Sequence, residues 1–383
     1  MDTAALKASW AQASALGDEV PSYFYAHLFL THPELRPMFP IRMSGQRDKL
    51  VAALGAVISN VDQLDEVVPL LEQLGRDHRR FRAVREHYTA VGASLLATLK
   101  HFFGTAWTPE LHQNWSEAYG LVAKVMVSAA EQDEDRAPAA WEAEVVRVER
   151  RSVEVAVFEV EPKEEFSYRP GQSVAVKIPQ RPREWRYYSP ANAPESSGRI
   201  EFHVQPIDGG LVSAPLVHHL RRGDVVELGA PVGEQLTLPE DEPLPDLLMV
   251  AGGTGLAPLR AVLQQIDRRF AGNGPAPLVH LFHGSRMSWN LYEHQYLQDL
   301  QRRAPWFDYT PVVSDDSTYP GAKGLVGDVA ADAGDWSRRM AMVCGSQLMV
   351  EHTTRALEAA GVPASSIRRE QFNFHSTSPR EAK

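Results

Sequence analysis

The chain has a single cysteine, Cys344, among its 383 residues, so no intrachain disulfide can form. A lack of disulfides is typical of reducing compartments, and we therefore expect a cytoplasmic protein. The chain also lacks any apolar run of the roughly 18–20 residues that cross a bilayer. Its first residues carry no basic stretch followed by an apolar core, which predicts that there is no signal peptide.

Positively charged residues are outnumbered by negatively charged ones. The chain has 39 Lys and Arg residues against 49 Asp and Glu residues, which gives a net charge of −10. Nucleic-acid binding needs a basic face, so we expect no nucleic-acid partner. Hydrophobic residues make up 44% of the chain, as in ordinary globular proteins, and the length allows two or three domains. We expect a monomer that acts on small molecules.

Proline and glycine are scarce in the first third of the chain. Residues 1–136 hold 6 of the 27 prolines and 7 of the 26 glycines. Apolar residues there recur at helical spacing, as Val20, Phe24 and Leu28 do. The sequence therefore predicts an all-α domain over residues 1–136. The polar, charged segment that follows Ala130 predicts a fraying helix end and a linker.

Two further domains are expected after the linker. Residues 137–242 contain short runs of alternating apolar residues separated by turn signals, for example at 153–157 and 200–204, and predict an antiparallel β-barrel. Residues 243–383 alternate buried strands with helical stretches, which predicts a parallel α/β sheet.

A glycine-rich turn lies between the first strand and the first helix of the third domain. Small residues at such a turn let a pyrophosphate approach the backbone N–H groups at the start of a helix. A tight turn without a ligand is the simpler alternative. A second glycine, Gly345, opens a later helix, and Gln371 and Phe372 lie on a final predicted strand. The candidate residues of the turn are Gly253, Thr254, Gly255, Leu256, Ala257 and Pro258.

The barrel carries its own candidate motif, Arg186-Tyr-Tyr188-Ser189. A guanidinium can pair with phosphate, a tyrosine ring can stack on a planar cofactor, and a hydroxyl can reach a ring nitrogen. Gly210 and Ser213 precede a short helix and offer a second place for phosphate. The alternative interpretation is an exposed turn with a solvated arginine.

In this order the motifs resemble those of the ferredoxin–NADP reductase superfamily, over about residues 140–374. The resemblance implies that Arg186 binds the phosphates of FAD, that Tyr188 stacks on the isoalloxazine and that Ser189 bonds near its N5. It also implies that the glycine-rich turn holds a nicotinamide dinucleotide. Ser173 departs from the pattern, since related flavoproteins often carry an aromatic residue there.

Of the six histidines in the helical domain, His78 is the one with a distinctive set of residues before and after it in the sequence. A histidine on a helix is usually a packed or surface residue, but here Phe39 precedes it and Tyr88 follows it by ten residues. The pattern resembles the globin domain of flavohaemoglobins. The resemblance implies that His78 is the proximal ligand to the iron of haem b, and that Phe39 is wedged against the haem. The implied distal-pocket residues are Tyr25, Gln46 and Leu50.

Two positions depart from the flavohaemoglobin pattern. The family has a Tyr–Glu relay that polarises the proximal histidine; Tyr88 matches the tyrosine, but Ala130 stands at the glutamate position. Glu131 is adjacent, rotated by about 100° around a helix. Asp77 stands where the family has a basic residue. We expect Tyr88 to find another partner, a backbone carbonyl or water.

The combined resemblance implies a nitric oxide dioxygenase that uses NAD(P)H, FAD and haem b to convert NO and O2 to nitrate. A flavin is needed between nicotinamide, which gives two electrons, and iron, which takes one. The alternatives are a haem–flavin reductase for hydroperoxides or other acceptors, a sensor of oxygen or NO, and a reductase with a vestigial globin. The choice between NADH and NADPH stays open, although Ser285 and Arg286 could hold a 2′-phosphate.

Overall fold

The chain divides into two compact units in a computed structural model. The first unit holds Met1–Ala140, and the second begins at Trp141. The structure describes residues 1–134, 136–207, 209–240, 242–271 and 276–371.

The first unit is helical, as the sequence predicted. A 3-10 helix, Pro33–Met38, joins its second and third α-helices. The last helix continues to Glu134, so the expected fraying after Ala130 is wrong: Asp133 there is held by an ion pair with Arg79. The helices are α1 (Thr3–Ser14), α2 (Glu19–Thr31), α3 (Ser44–Ser59), α4 (Leu64–Arg79), α5 (Arg85–Phe103) and α6 (Pro109–Glu134).

Helices α4 and α6 approach each other closely at Gly75. A Cβ atom on Gly75 would lie 2.2 Å from the carbonyl oxygen of Met126, so only glycine fits between the two backbones. The contact fixes the position of the last turn of α4 against α6, and that turn carries His78.

The second unit opens with an antiparallel sheet. Its strand order is β4-β3-β6-β1-β2-β5, and a bridge between Pro190 and Phe202 joins the two ends of this order. The strand expected at 153–157 begins only at Ala156, because the backbone N–H groups of Arg151 and Ser152 both bond to the Val155 carbonyl and form a turn. The elements are β1 (Trp141–Arg150), β2 (Ala156–Pro162), β3 (Ser173–Lys177), β4 (Trp185–Tyr188), β5 (Ile200–Val204), α7 (Ser213–His218) and β6 (Val225–Val232).

A parallel sheet with strand order β10-β9-β8-β7-β11-β12 completes the unit. The chain moves outward from β7 to β10 and then returns to place β11 on the other side of β7. This reversal is a topological switch point, where the carboxyl ends of strands leave a crevice for ligands. No helix of the described ranges is long and apolar enough to span a membrane. The elements are β7 (Leu247–Gly252), α8 (Leu256–Arg269), β8 (Val279–Ser285), α9 (His294–Arg303), β9 (Phe307–Val313), β10 (Ala322–Lys323), α10 (Val326–Asp332), β11 (Met340–Gly345), α11 (Gln347–Ala359) and β12 (Ile367–Gln371).

Candidate functional site

His78 lies in the last turn of α4 with its tautomer fixed. Its Nδ1 atom is 2.6 Å from the carbonyl oxygen of Leu74. A carbonyl can only accept, so Nδ1 carries the proton and Nε2 keeps a free lone pair. Burial lowers the pKa of His78, which favours the neutral ring. The imidazole is thus prepared to donate through Nε2 to a metal.

Protein ligands alone do not form a metal site around His78. The described part of the chain contains no group of three or more His, Cys, Asp or Glu side chains that could hold a metal ion. A single imidazole can hold iron when a macrocycle supplies the remaining ligands, as haem does. The neutral, oriented His78 therefore fits a haem.

Arg79 fixes the turn that carries His78. Its guanidinium pairs with the carboxylate of Asp133 on α6 and donates a hydrogen bond of 2.6 Å to the carbonyl oxygen of Ala137. The side chain of Arg79 is only 10% exposed, so these bonds are shielded from solvent. The sequence did not single out Arg79, because its role depends on a partner 54 residues away.

Tyr88 lies beside His78 with a buried hydroxyl. The two ring centroids are 6.3 Å apart, and burial raises the pKa of Tyr88 to about 12. Its Oη has no hydrogen-bond partner among the described residues, so the expectation of a backbone carbonyl is wrong and a water stays a prediction. Glu131 instead pairs with Arg85 at the surface, at 2.6 Å. Tyr88 thus has no carboxylate partner, in agreement with Ala130 at the family's glutamate position.

Three of the proposed haem-pocket residues, Tyr25, Phe39 and Leu50, meet in one core cluster. The ring centroids of Tyr25 and Phe39 are 5.6 Å apart, and Leu50 packs against the same cluster. The Tyr25 hydroxyl donates to the backbone carbonyl of Gln46 at 3.4 Å. Burial raises the pKa of Tyr25 to about 12, so the hydroxyl keeps its proton at neutral pH and can serve as a donor.

The carboxylate of Asp77, the second departure from the family pattern, contacts two neighbouring side chains, Gln73 and Arg80. Its Oδ1 accepts from Gln73 at 3.3 Å and lies 3.6 Å from a guanidinium nitrogen of Arg80. The local cation is therefore supplied by the residue two positions after His78 rather than by the one before it.

Arg186 and Tyr188 lie two residues apart on β4 of the barrel. The Arg186 guanidinium is bonded to Glu184 at 3.1 Å and to the Trp185 carbonyl at 2.8 Å, and 30% of the side chain is exposed. A cation held this way on an accessible strand is suited to receive a phosphate. Tyr188 is partly buried against the barrel core, and burial raises its pKa.

Ser189 belongs to a buried cluster of hydroxyls and a carboxyl group. Its Oγ lies 3.0 Å from the Oγ of Ser173, and Ser173 donates to Oε1 of Glu370 on β12. The second carboxyl oxygen, Oε2, is buried without a partner, and burial raises the pKa of Glu370 to about 7. An unpartnered polar atom beside Ser189 fits a polar ring edge such as that of a flavin. Glu370 directly precedes the candidates Gln371 and Phe372 in the sequence, but no sequence signal shows that it meets Ser173.

Gly210 and Ser213 form one tight turn before α7. A Cβ atom on Gly210 would lie 2.4 Å from Oγ of Ser213, and this Oγ accepts from the backbone N–H of Ile207 at 3.1 Å. The two candidate residues are thus brought together, with the serine hydroxyl bonded to the loop.

The glycine-rich turn lies at the switch point between β7 and β11. Gly253 has a φ of +52°, and a Cβ atom on Gly255 would lie 2.3 Å from the carbonyl oxygen of Cys344. Thr254 completes the 3-10 turn between these two glycines. A strand–turn–helix junction with small residues is the kind of site at which backbone N–H groups bind a pyrophosphate.

The other candidates of this turn form the first part of α8. Leu256, Ala257 and Pro258 are buried against the sheet and fix the start of the helix. Gln371 pairs with Gly345 as the last residue of β12, whereas Phe372 lies outside the described residues.

A buried ion network joins α8 to the barrel. Arg260 lies 3.0 Å from Glu201 on β5 and 3.0 Å from Glu293, and it donates to the Ala191 carbonyl at 2.7 Å. Burial alone would raise the pKa of Glu201, but its hydrogen bond with His203 and the charge of Arg260 lower it to about 2. The network fixes the helix of the glycine-rich turn relative to the strand segment that follows Ser189.

Three family models match the chain in series. They are Globin over residues 22–126, Oxidoreductase FAD-binding domain over residues 142–236 and Oxidoreductase NAD-binding domain over residues 249–355. The first covers the helical unit, the second the antiparallel sheet and the third most of the parallel sheet.

Curated relatives carry the name flavohemoprotein. The one from Bordetella parapertussis is 31% identical over 278 residues, which are 67% of this chain and 68% of the relative. The one from Bacillus subtilis is 28% identical over 261 residues, and the match spans 65% of each chain.

Solved structures share the fold. A flavohemoglobin from Malassezia yamatoensis with bound FAD and heme has a TM-score of 0.76 at 16% identity, over 97% of this chain and 98% of that one. The FAD/NAD-binding domain of a nitric oxide dioxygenase from Vibrio cholerae has a TM-score of 0.53 at 20% identity, over 61% of this chain and 97% of that one.

Proposed function

Since the chain belongs to the flavohaemoprotein family and is an oxidoreductase of that family, we propose that it is a nitric oxide dioxygenase that uses NAD(P)H, FAD and haem b to convert NO and O2 to nitrate. The single observation that carries the proposal is the neutral His78, whose Nδ1 is committed to Leu74 while Nε2 is free. The Vibrio cholerae neighbour, named a nitric oxide dioxygenase, supports the finer activity.

When bound, FAD would accept a hydride and haem would take electrons one at a time and hold oxygen. At the nicotinamide end, the Gly253–Gly255 turn would hold the pyrophosphate, and the Arg260 network would keep that turn aligned with the barrel. Arg186 would bind the FAD phosphates, and Tyr188 would cover the ring. Ser189 would bond to its polar edge.

Glu370 would serve proton balance at the flavin site. Two-electron reduction followed by one-electron steps requires a proton to enter or leave the site. A carboxyl group whose pKa is about 7 can hold or release that proton near neutral pH. Its Oε1 accepts from Ser173, which in turn lies 3.0 Å from Ser189.

At the haem end, His78 would hold the iron, and Tyr25, Gln46 and Leu50 would form the pocket for O2 and NO. The protonated Tyr25 hydroxyl is a donor suited to the charge that develops on oxygen. Phe39, beside Tyr25, would hold the macrocycle by apolar contact.

The unpartnered Tyr88 favours NO dioxygenation over hydroperoxide reduction. Heterolytic cleavage of a peroxide bond benefits from an electron-rich proximal ligand, and a carboxylate relay would make His78 more electron-rich. Tyr88 has no such partner among the described residues. Attack of NO on oxygen needs no prior cleavage of the O–O bond.

The test is NO consumption by the purified protein loaded with haem and FAD, with NADH and air, and with nitrate measured as product. We expect about one nitrate per NO, and we expect His78→Ala to abolish turnover. His32→Ala, which changes an exposed histidine of the same unit, is the matched control and should retain it. Consumption of NO without nitrate, or equal turnover in His78→Ala, would contradict the proposal.

A further inference from the structure

Arg36 lies on the short segment between α2 and α3, and its guanidinium binds the main chain three times. Its Nη1 donates to the carbonyl oxygens of Phe39 at 3.1 Å and Pro40 at 2.9 Å, and its Nη2 donates to that of Ile41 at 3.2 Å. The backbone N–H of Phe39 bonds in turn to the Arg36 carbonyl at 3.3 Å. Both backbone polar groups of Phe39 are therefore held by Arg36.

The segment that Arg36 binds has no regular structure of its own. Residues 39–43 belong to no helix or strand, because the 3-10 helix Pro33–Met38 ends before them and α3 begins at Ser44. Three successive carbonyl groups that converge on one place need several donors from one side. The planar fork of a guanidinium supplies these donors in a fixed arrangement, whereas the ammonium group of a lysine is a single point.

The same guanidinium lies over an aromatic cluster of the helical unit. The Cζ atom of Arg36 is 5.2 Å from the centre of the Phe29 ring, within the range of a cation–π interaction. Phe29 stacks on Tyr25, with ring centroids 5.7 Å apart, and meets Phe39 edge to face at 5.2 Å. Arg36 therefore acts on Phe39 through its backbone and through Phe29, and on Tyr25 through Phe29.

The path of residues 39–43 also sets where α3 begins. This helix carries Gln46 and Leu50, and the Gln46 carbonyl accepts the bond from the Tyr25 hydroxyl at 3.4 Å. The distance is long for an O–H donor, so a small shift at the start of α3 would release the hydroxyl in another direction. The direction of the Tyr25 O–H bond therefore depends on the segment that Arg36 holds.

We propose that Arg36 is a positioning residue for the haem pocket, which it serves by fixing the Phe39 backbone and the direction of the Tyr25 hydroxyl. The roles of Phe39 and Tyr25 rest on the proposed function, and Arg36 acts only through them. A merely structural role would lower the stability of the helical unit as a whole. Positioning predicts effects that are confined to the pocket and the segment beside it.

The first test is the rate at which the ferric full chain loses haem to excess apomyoglobin. Arg36→Met removes the donors but keeps a long side chain, and should raise the rate about tenfold. Arg36→Lys keeps the charge without the fork and should raise it about threefold or more. Arg42→Met changes an exposed arginine of the same segment and is the matched control. An unchanged rate in Arg36→Met, full retention in Arg36→Lys, or an equal rise in Arg42→Met overturns the inference.

The second test reads the Tyr25 hydroxyl through the infrared spectrum of the dithionite-reduced chain under carbon monoxide. A donor aimed at the ligand oxygen lowers the C–O stretching frequency, and one donor orientation gives one narrow band. In Arg36→Met we expect a broadened band shifted toward that of Tyr25→Phe, and in Arg42→Met an unchanged band. No shift in Tyr25→Phe would refute the pocket assigned in the proposed function. A shift in Tyr25→Phe with an unaltered Arg36→Met band refutes only this inference.

Hydrogen exchange of the haem-loaded chain separates a local effect from a global one. In Arg36→Met the amides of residues 39–47 should exchange about tenfold faster, whereas those of α6 should keep their rates. Equal acceleration in both regions would show a structural role and overturn the inference. If Arg36→Met fails to fold, the same comparison in Arg36→Lys decides. NADH should reduce FAD at the same rate in every variant, because Arg36 lies in the first compact unit.

Discussion

Arg186 is the residue on which we expect flavin affinity to depend most. A charge-assisted hydrogen bond to phosphate contributes roughly 1.5–3 kcal/mol, so Arg186→Ala should weaken FAD binding about 10- to 100-fold. Fluorescence of FAD released on dilution measures this. Arg199→Ala removes an exposed arginine of the same barrel, paired with Glu161, and should leave FAD affinity unchanged. Equal retention of FAD in both variants would show that Arg186 is not a phosphate ligand.

Ala130 has no carboxylate, and we expect this to limit hydroperoxide turnover because Tyr88 then has no relay partner. Ala130→Glu should supply a carboxylate for the Tyr88 hydroxyl and so raise hydroperoxide turnover more than NO consumption. Steady-state assays with both substrates measure the two rates.

Glu131→Ala tests the competing interpretation, in which Glu131 already serves as the relay. It breaks an exposed ion pair with Arg85, a kind of pair that contributes less than about 1 kcal/mol, and should change both rates little. A large loss of hydroperoxide turnover in this variant would refute the assignment of Tyr88 as a relay without a carboxylate.

At the scale of elements, the junction of α8 and β5 depends on Arg260. Arg260→Met removes the guanidinium that the two buried carboxylates share and, among the described residues, leaves Glu201 with only Arg147 and Glu293 with only Arg151. The loss of stability should therefore be marked but smaller than the about 3–5 kcal/mol that a buried charge without any partner costs. Urea unfolding at pH 7 should show this loss. Arg303→Met, which removes a more exposed pair with Asp267, should cost far less.

The pH dependence of this junction has a definite sign. The pKa of Glu201 is lowered from 4.5 to about 2, so its ionised form stabilises the fold above pH 4.5. That contribution is lost as pH falls from about 4.5 to 2. Without Arg260 the pKa of Glu201 should rise, so the acid-induced loss of stability should begin at higher pH in Arg260→Met. An unchanged acid profile would contradict the role given to the network.

For the whole molecule, the two compact units predict separable cofactors. His78→Ala should lose tight haem binding while NADH still reduces FAD, because the flavin and nicotinamide candidates all lie in the second unit. Absorption spectra under argon, before and after NADH, measure both. Retention of a five-coordinate, histidine-ligated haem spectrum in this variant would contradict the assignment of His78.

The sequence predicted the larger part of this architecture because periodicity and turn residues are local signals. The helical unit, the antiparallel sheet and the parallel sheet with its glycine-rich turn could all be predicted from the sequence. Contacts between distant segments were not: the meeting of Ser173 with Glu370 and that of Arg79 with Asp133 leave no pattern in spacing. The sequence also failed to show that the Tyr88 hydroxyl has no acceptor among the described residues, because spacing says nothing about where a hydroxyl finds one.

The bonds of Arg79 to Asp133 and to the Ala137 carbonyl lead us to expect that haem retention depends on the order of the last turn of α4. His78, the proposed iron ligand, is the penultimate residue of α4, and helix ends open more readily than helix centres. The carbonyl of Ala137, at the start of the linker, holds the neighbouring residue in place. The rate at which haem leaves should therefore follow the opening of one helical turn rather than global unfolding.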